Sequence, residues 1–213
     1  PLTIRSASGA TRLHRLAAAK RATLAGGTLS TLAIEGTEDG FQDLVAAGFA
    51  PEALGDEGIA NVGLGFDVRF AGRAYGTVGV TANGYLVMGG GTSQDVSFQP
   101  AAIPSTARPN AILAPFWTDL NDDDIDSSGD VYGVSIAVGG DPGEQFAVVQ
   151  WTTHVWGDED AKRTFQVWLF EGVDAATLDY DAATLGQPGE PSVGLQVGAE
   201  NQNGSSGAGL GTN

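Results

Sequence analysis

The sequence predicts an all-β protein, an antiparallel β-sandwich with a small N-terminal β-rich head. Three observations predict it. Several stretches alternate apolar and polar residues with a period of two, most clearly Leu64-Gly-Phe66-Asp-Val68-Arg-Phe70. Glycine supplies 32 of 213 residues, against an average near ~7%, while helix signals are sparse; that combination suits short strands and tight turns. Asn83-Gly84 stands between two β-like runs, and this dipeptide is a strong hairpin signal because both residues tolerate positive φ.

Residues 1–40 form the head. Leu2-Thr-Ile-Arg5 alternates like a short strand, and Thr28 to Ile34 alternates again. Between them Ala17-Ala-Ala-Lys-Arg21 favours helix, so Thr11 to Leu24 stays open between helix and strand. Residues 41–58 are acidic and rich in Gly and Ala, and read as a linker or draped loop with Phe41 and Phe49 as anchors. The sandwich then occupies 59–213. After the Leu64–Phe70 strand, Tyr75–Thr81 alternates, a two-residue turn follows at Asn83-Gly84, and Tyr85–Met88 returns. Residues 92–110 carry Pro100, Pro104 and Pro109 and read as a long loop. The apolar strand Ala111–Thr118 opens into a carboxylate-rich loop. Later strands are Val131–Val138, Gln145–Trp156, Thr164–Phe170, Thr177–Tyr180 and Ser192–Ala199, the first two joined by an Asp141-Pro-Gly143 turn. Both parities of Phe165–Phe170 are largely apolar, so that strand is expected to be covered on both faces. Asn201–Asn213 is Gly/Ser-rich and reads as a tail.

Charge narrows the partners. Residues 1–40 hold five basic and three acidic side chains (+2), and residues 41–213 hold five basic and 23 acidic ones (−18), which sum to the chain's −16. Phosphate binding needs clustered Lys and Arg, so nucleic acid is not an expected partner. No apolar run approaches the ~20 residues of a membrane-spanning helix. With no cysteine there is no disulfide, no thiolate metal site and no thiol catalysis. The chain begins at Pro1, and a processed form or fragment is the expectation.

The acid-rich loop is the candidate metal site. Asp119, Asn121, Asp123 and Asp130 fall at positions 1, 3, 5 and 12 of a twelve-residue frame, with Asp126 able to replace one ligand. Hard oxygen donors at that spacing suit Ca²⁺, although position 6 is Asp124 rather than Gly and position 12 is Asp rather than Glu. Asp158-Glu-Asp160 reads as a plain hairpin turn. Of the four tryptophans, Trp117, Trp151 and Trp168 read as core, and Trp156, just before a Gly-Asp turn, is the exposed candidate for a glycan or protein ligand.

No catalytic constellation emerges. Only His14 and His154 are present, His154 lies in a strand, and no Gly-x-Ser-x-Gly elbow occurs. Paired carboxylates suit glycoside hydrolysis, but among 26 acids some pair is always close, so the signal carries almost nothing. The basic head suggests self-association instead. Leu2 and Ile4 would fill pockets of a neighbouring copy while Arg5, Arg12 and Arg15 meet its acidic loops, the pattern of a donated strand and of a strand-exchange filament.

A set of blocks carries a family resemblance: Phe66-Asp-Val-Arg-Phe70 with Tyr75, Val80-Thr-Ala-Asn-Gly-Tyr85, Ala114-Pro-Phe-Trp-Thr-Asp-Leu-Asn121, Val148-Val-Gln-Trp151, Thr164-Phe-Gln-Val-Trp168 and Val193-Gly-Leu-Gln-Val-Gly198. Their order and spacing resemble the nidogen-type (NIDO) extracellular domain, and more closely the non-catalytic C-terminal domain of secreted bacterial subtilisin-like serine proteases. Residues 4–34 resemble a segment that precedes that domain. The resemblance implies a secreted or surface-exposed bacterial module with an accessory or adhesive role, and it carries over no catalytic residue.

Overall fold

The computed structural model describes residues 5–6, 41–122, 129, 131–185, 189 and 191–212. Two six-stranded sheets face each other in a sandwich. The strands in chain order are β1 (Arg5–Ser6), β2 (Ile59–Phe70), β3 (Arg73–Thr81), β4 (Leu86–Met88), β5 (Ile112–Trp117), β6 (Leu120–Asn121), β7 (Gly133–Gly139), β8 (Phe146–Val155), β9 (Asp158–Phe170), β10 (Ala176–Tyr180), β11 (Leu195–Glu200) and β12 (Gly207–Thr212). One sheet runs β1-β7-β8-β9-β10, with β6 lying on β8; the other runs β12-β11-β5-β4-β3-β2. All pairings are antiparallel except β1 on β7, where Arg5 registers with Ala137.

The period-two pattern explains which face goes inside. On β2 the side chains of Val62, Leu64, Phe66, Val68 and Phe70 are buried while the residues between them are exposed. They meet Val149, Trp151, Phe165, Val167 and Leu169 from the facing sheet in the main core. Trp151 stacks on Phe165 at 5.2 Å, and its indole N–H donates to the Thr81 carbonyl at 2.8 Å, pinning the two sheets together.

Two smaller apolar clusters lie on the outer faces. On one sheet, Tyr85, Val87, Ile112, Ala114 and Trp117 are roofed by the loop of residues 92–110. The Tyr85 hydroxyl donates to the Asp95 carbonyl (2.7 Å) and accepts from the Ser97 N–H (2.9 Å), and the Trp117 indole donates to the Ser97 carbonyl (2.7 Å). The Arg108 guanidinium grips Asp95 through Nε at 2.8 Å and Nη2 at 2.6 Å. On the other sheet, Leu44 covers Ala137, Phe146, Val148 and Trp168. This is why β9 is apolar on both faces.

Four expectations need correction. The β3–β4 register pairs Val80 with Leu86, and Thr81 bonds to Tyr85, so the hairpin loop is the three residues Ala82-Asn83-Gly84 rather than two. The β8–β9 turn lies at Trp156-Gly157, and Asp158–Asp160 belong to β9. Residues 207–212 of the glycine-rich tail form edge strand β12. In residues 41–58 the buried anchor is Leu44, 1% exposed, with Phe49 packed beside it; Phe41 is not in that cluster.

Candidate functional site

The three-residue hairpin loop sits at one end of the sandwich, where β5 runs into β6. Gly84 has φ +76°, and a Cβ there would run into the Phe116 carbonyl, so only glycine lets the loop lie against β5. This close approach places Asn83, which is completely buried, between two strangers in sequence. Its amide Nδ2 donates to Glu57 Oε1 at 3.1 Å, and its Oδ1 accepts the Leu120 N–H at 3.1 Å. Glu57 occupies a left-handed backbone conformation, φ +55°, uncommon for a residue with a side chain.

Asp119 precedes β6 at the same end. Its carboxyl is pushed up to about 6, first by burial and then by the negative charges of Glu57 and Asp56. Burial also raises Glu57, with Asp56 adding to it and the Asn83 hydrogen bond opposing. The site therefore gathers three carboxylates from two segments that are distant in sequence, and burial with neighbouring negative charge opposes ionisation of Asp119 and Glu57. Asp122, 2% exposed, has a different role: it accepts the Leu54 N–H (2.8 Å) and the Gly55 N–H (3.2 Å), fixing the segment that carries Asp56 and Glu57.

Trp156 completes the surface. Its backbone N–H donates to the Asp119 carbonyl at 3.1 Å, and its side chain is 47% exposed. Trp117, Trp151 and Trp168 are buried, as their strand positions predict. Trp156 thus presents an open indole, an apolar plate, on a residue whose backbone is bonded to that of Asp119.

Of the five expected metal ligands, Asp119 and Asn121 are described, and Asp123, Asp126 and Asp130 lie outside the described residues. Asn121 is mostly buried on β6, and its carbonyl accepts the Thr153 hydroxyl at 2.6 Å. Among the described residues no group of three or more His, Asp or Glu side chains converges tightly enough to hold a metal ion. Of the expected assembly residues, Leu2, Ile4, Arg12 and Arg15 lie outside the described residues, and Arg5 lies on the β7 edge of its own sheet. His154 is buried in β8, with Nδ1 3.0 Å from the Val155 carbonyl and its ring edge-on to Tyr132.

Sequence reading missed Asp56, Glu57 and Asn83 as members of this site. Asn83 had the only available signal, its hairpin dipeptide, and that signal pointed to a turn.

Among the described residues no helix is long and apolar enough to cross a membrane. A family model described as NIDO related matches residues 32–210. No curated protein and no solved structure matches the chain.

Proposed function

Because the chain belongs to the NIDO-related family, we propose that it serves as a non-catalytic extracellular module, an accessory or adhesive domain of a secreted or surface bacterial protein, with its recognition surface at the Asp119–Trp156 end and Ca²⁺ in the loop that starts at Asp119. Family membership supports the extracellular β-module. The resemblance of its strand blocks to the C-terminal domain of subtilisin-like proteases supports a secreted protease as one parent polypeptide.

The single observation that carries the calcium reading is the state of Asp119. Burial and two neighbouring carboxylates raise it to about 6, so at neutral pH its charge is maintained against an opposing field. A hard divalent cation relieves that opposition, and the donors at hand are all oxygen. Asp119 and Asn121 would begin the ligand set and Asp123, Asp126 and Asp130 would complete it. The ion would stiffen the loop beside Trp156, the surface we assign to a glycan or protein ligand.

The test is thermal melting of the intact chain in calcium and in chelator. A native-state ligand at a hundredfold excess over Kd adds ~2.7 kcal/mol, so calcium should raise Tm and Asp119→Ala should abolish the rise. Equal melting in both buffers overturns the stabilising site. Loss of glycan or protein binding in Trp156→Ala, with unchanged melting, would separate the recognition surface from the ion.

A further inference from the structure

The outer face of the β7-β8-β9 layer recognises residues 41–53 as a peptide-binding domain recognises its ligand. Three features carry this. First, the polar contacts go mainly to main chain. Gln166 Nε2 donates to the Gln42 carbonyl, and Gln150 Oε1 accepts the Leu44 N–H at 2.8 Å. Farther along, the Ser135 hydroxyl donates to the Phe49 carbonyl at 2.9 Å, and Glu52 and Val134 exchange both backbone hydrogen bonds, at 3.0 and 2.9 Å.

Second, the two glutamines are preorganised. Both are fully buried, Gln166 Nε2 also donates to Gln150 Oε1 at 2.7 Å, and the Trp168 indole N–H donates to Gln166 Oε1 at 3.2 Å. Each amide therefore has a hydrogen bond within the sheet that does not depend on the segment. Third, one side chain provides the anchor: Leu44 enters an apolar pocket formed by Ala137, Phe146, Val148 and Trp168. Main-chain bonds for affinity and a pocket for specificity are the mark of extended-peptide recognition.

We propose that this face is a peptide-docking groove, filled in cis by residues 41–53 and open in trans to the same segment of a second copy. The occupant is visible, seated in its site. The connection that must swing for exchange is short and holds Glu57 in the left-handed region (φ +55°), which is strained for a residue with a side chain, and short strained hinges favour exchange between copies. The partner's Leu44 would then complete the outer cluster of this chain. No groove residue belongs to the Asp119 site, but the connection carries Asp56 and Glu57, which do; binding of a free peptide therefore tests the groove apart from the calcium reading.

The probe is a fluorescein-labelled peptide with the sequence of residues 41–53, titrated by anisotropy against the full-length chain carrying Leu44→Asp, which expels the cis anchor while leaving the main core untouched. Saturable binding is expected, at least about tenfold stronger than to the wild-type chain, whose groove is occupied, a difference of about 1.4 kcal/mol. Adding Gln150→Ala and Gln166→Ala should remove it, and so should Leu44→Asp within the peptide. No saturable binding to a Leu44→Asp chain with wild-type far-ultraviolet circular dichroism overturns the proposal, as does equal binding of the Leu44→Asp peptide. Should Leu44→Asp fail to fold, Leu44→Ala replaces it under the same criteria.

Discussion

Asn83 ties Glu57 to the start of β6: one end of its amide holds the Glu57 carboxylate and the other accepts the Leu120 N–H, each at 3.1 Å. A single buried side chain thereby sets where two of the three clustered carboxylates stand.

Asn83→Ala is expected to destabilise the domain by about 2–3 kcal/mol, because it strands the buried Leu120 N–H and removes the amide that ties down the Glu57 carboxylate. Asn83→Asp keeps the acceptor for Leu120 but adds negative charge beside Glu57, so its deficit should shrink when the pH is lowered from 8 to 5. Urea denaturation at both pH values checks the pair; a pH-independent deficit in Asn83→Asp would show that the carboxylates do not interact with this position.

Asp119 sets a pH dependence whose sign is fixed by its raised value. Its stabilising contribution is fully present below the ordinary carboxylate pKa of 3.8 and is lost as pH rises through about 6. In chelator, Asp119→Asn should match the wild type near pH 4 and exceed it above pH 7 by about 1 kcal/mol, the conversion being reduced because the group is partly solvated. With calcium present the order should reverse, the wild type becoming the more stable. Denaturation across pH 4–8 in both buffers reads the two effects separately.

Asp95 has the opposite sign. Burial acts to raise it, but the Arg108 guanidinium and the Thr92 N–H and hydroxyl outweigh burial and hold it below the usual range. Its contribution is present above the unfolded-state pKa and disappears as pH falls through the folded one. Asp95→Asn should cost about 1 kcal/mol at pH 7 and speed amide exchange at Ser97, whose N–H bonds to the Tyr85 hydroxyl. Unchanged exchange at Ser97 would show that the roof over Trp117 does not depend on this carboxylate.

Gly84→Val combines a disallowed φ with a collision against the Phe116 carbonyl and should lower stability by more than about 3 kcal/mol. Gly157→Val also stands at positive φ but meets nothing within 4 Å, so it isolates the backbone cost, about 1–2 kcal/mol. Comparable melting of the two variants would remove the steric part of the account.

Much of this architecture was legible. The alternation in Leu64–Phe70 places four side chains inside, and the continuous apolar run Ile112–Trp117 becomes a strand buried on both faces. Trp156 reads as exposed because a turn follows it. What escaped was long-range. Nothing local to Asp56 or Glu57 marks them as neighbours of Asp119, since a segment held by Asp122 brings them there. Gln150 and Gln166 look like ordinary strand polar residues until their register partners are known. The edge strand β12 escaped for a different reason. Glycine is a poor strand former, yet a Cβ at Gly207 would strike the Ala199 carbonyl and one at Gly209 would strike Ile103. Its composition is dictated by the neighbour's surface, which no window along the chain reveals.

The order of the second sheet also bears on how the protein is made. β5 lies between β4, which precedes it, and β11, which is synthesised after every strand of the opposite sheet. Until β11 leaves the ribosome, Leu113 and Ala114 present an open main-chain edge, and unpaired edges invite wrong partners. Long-range pairing of this kind also folds slowly. A nascent chain halted after Tyr180 should therefore recruit chaperones and aggregate, although by then it contains every strand of the opposite sheet.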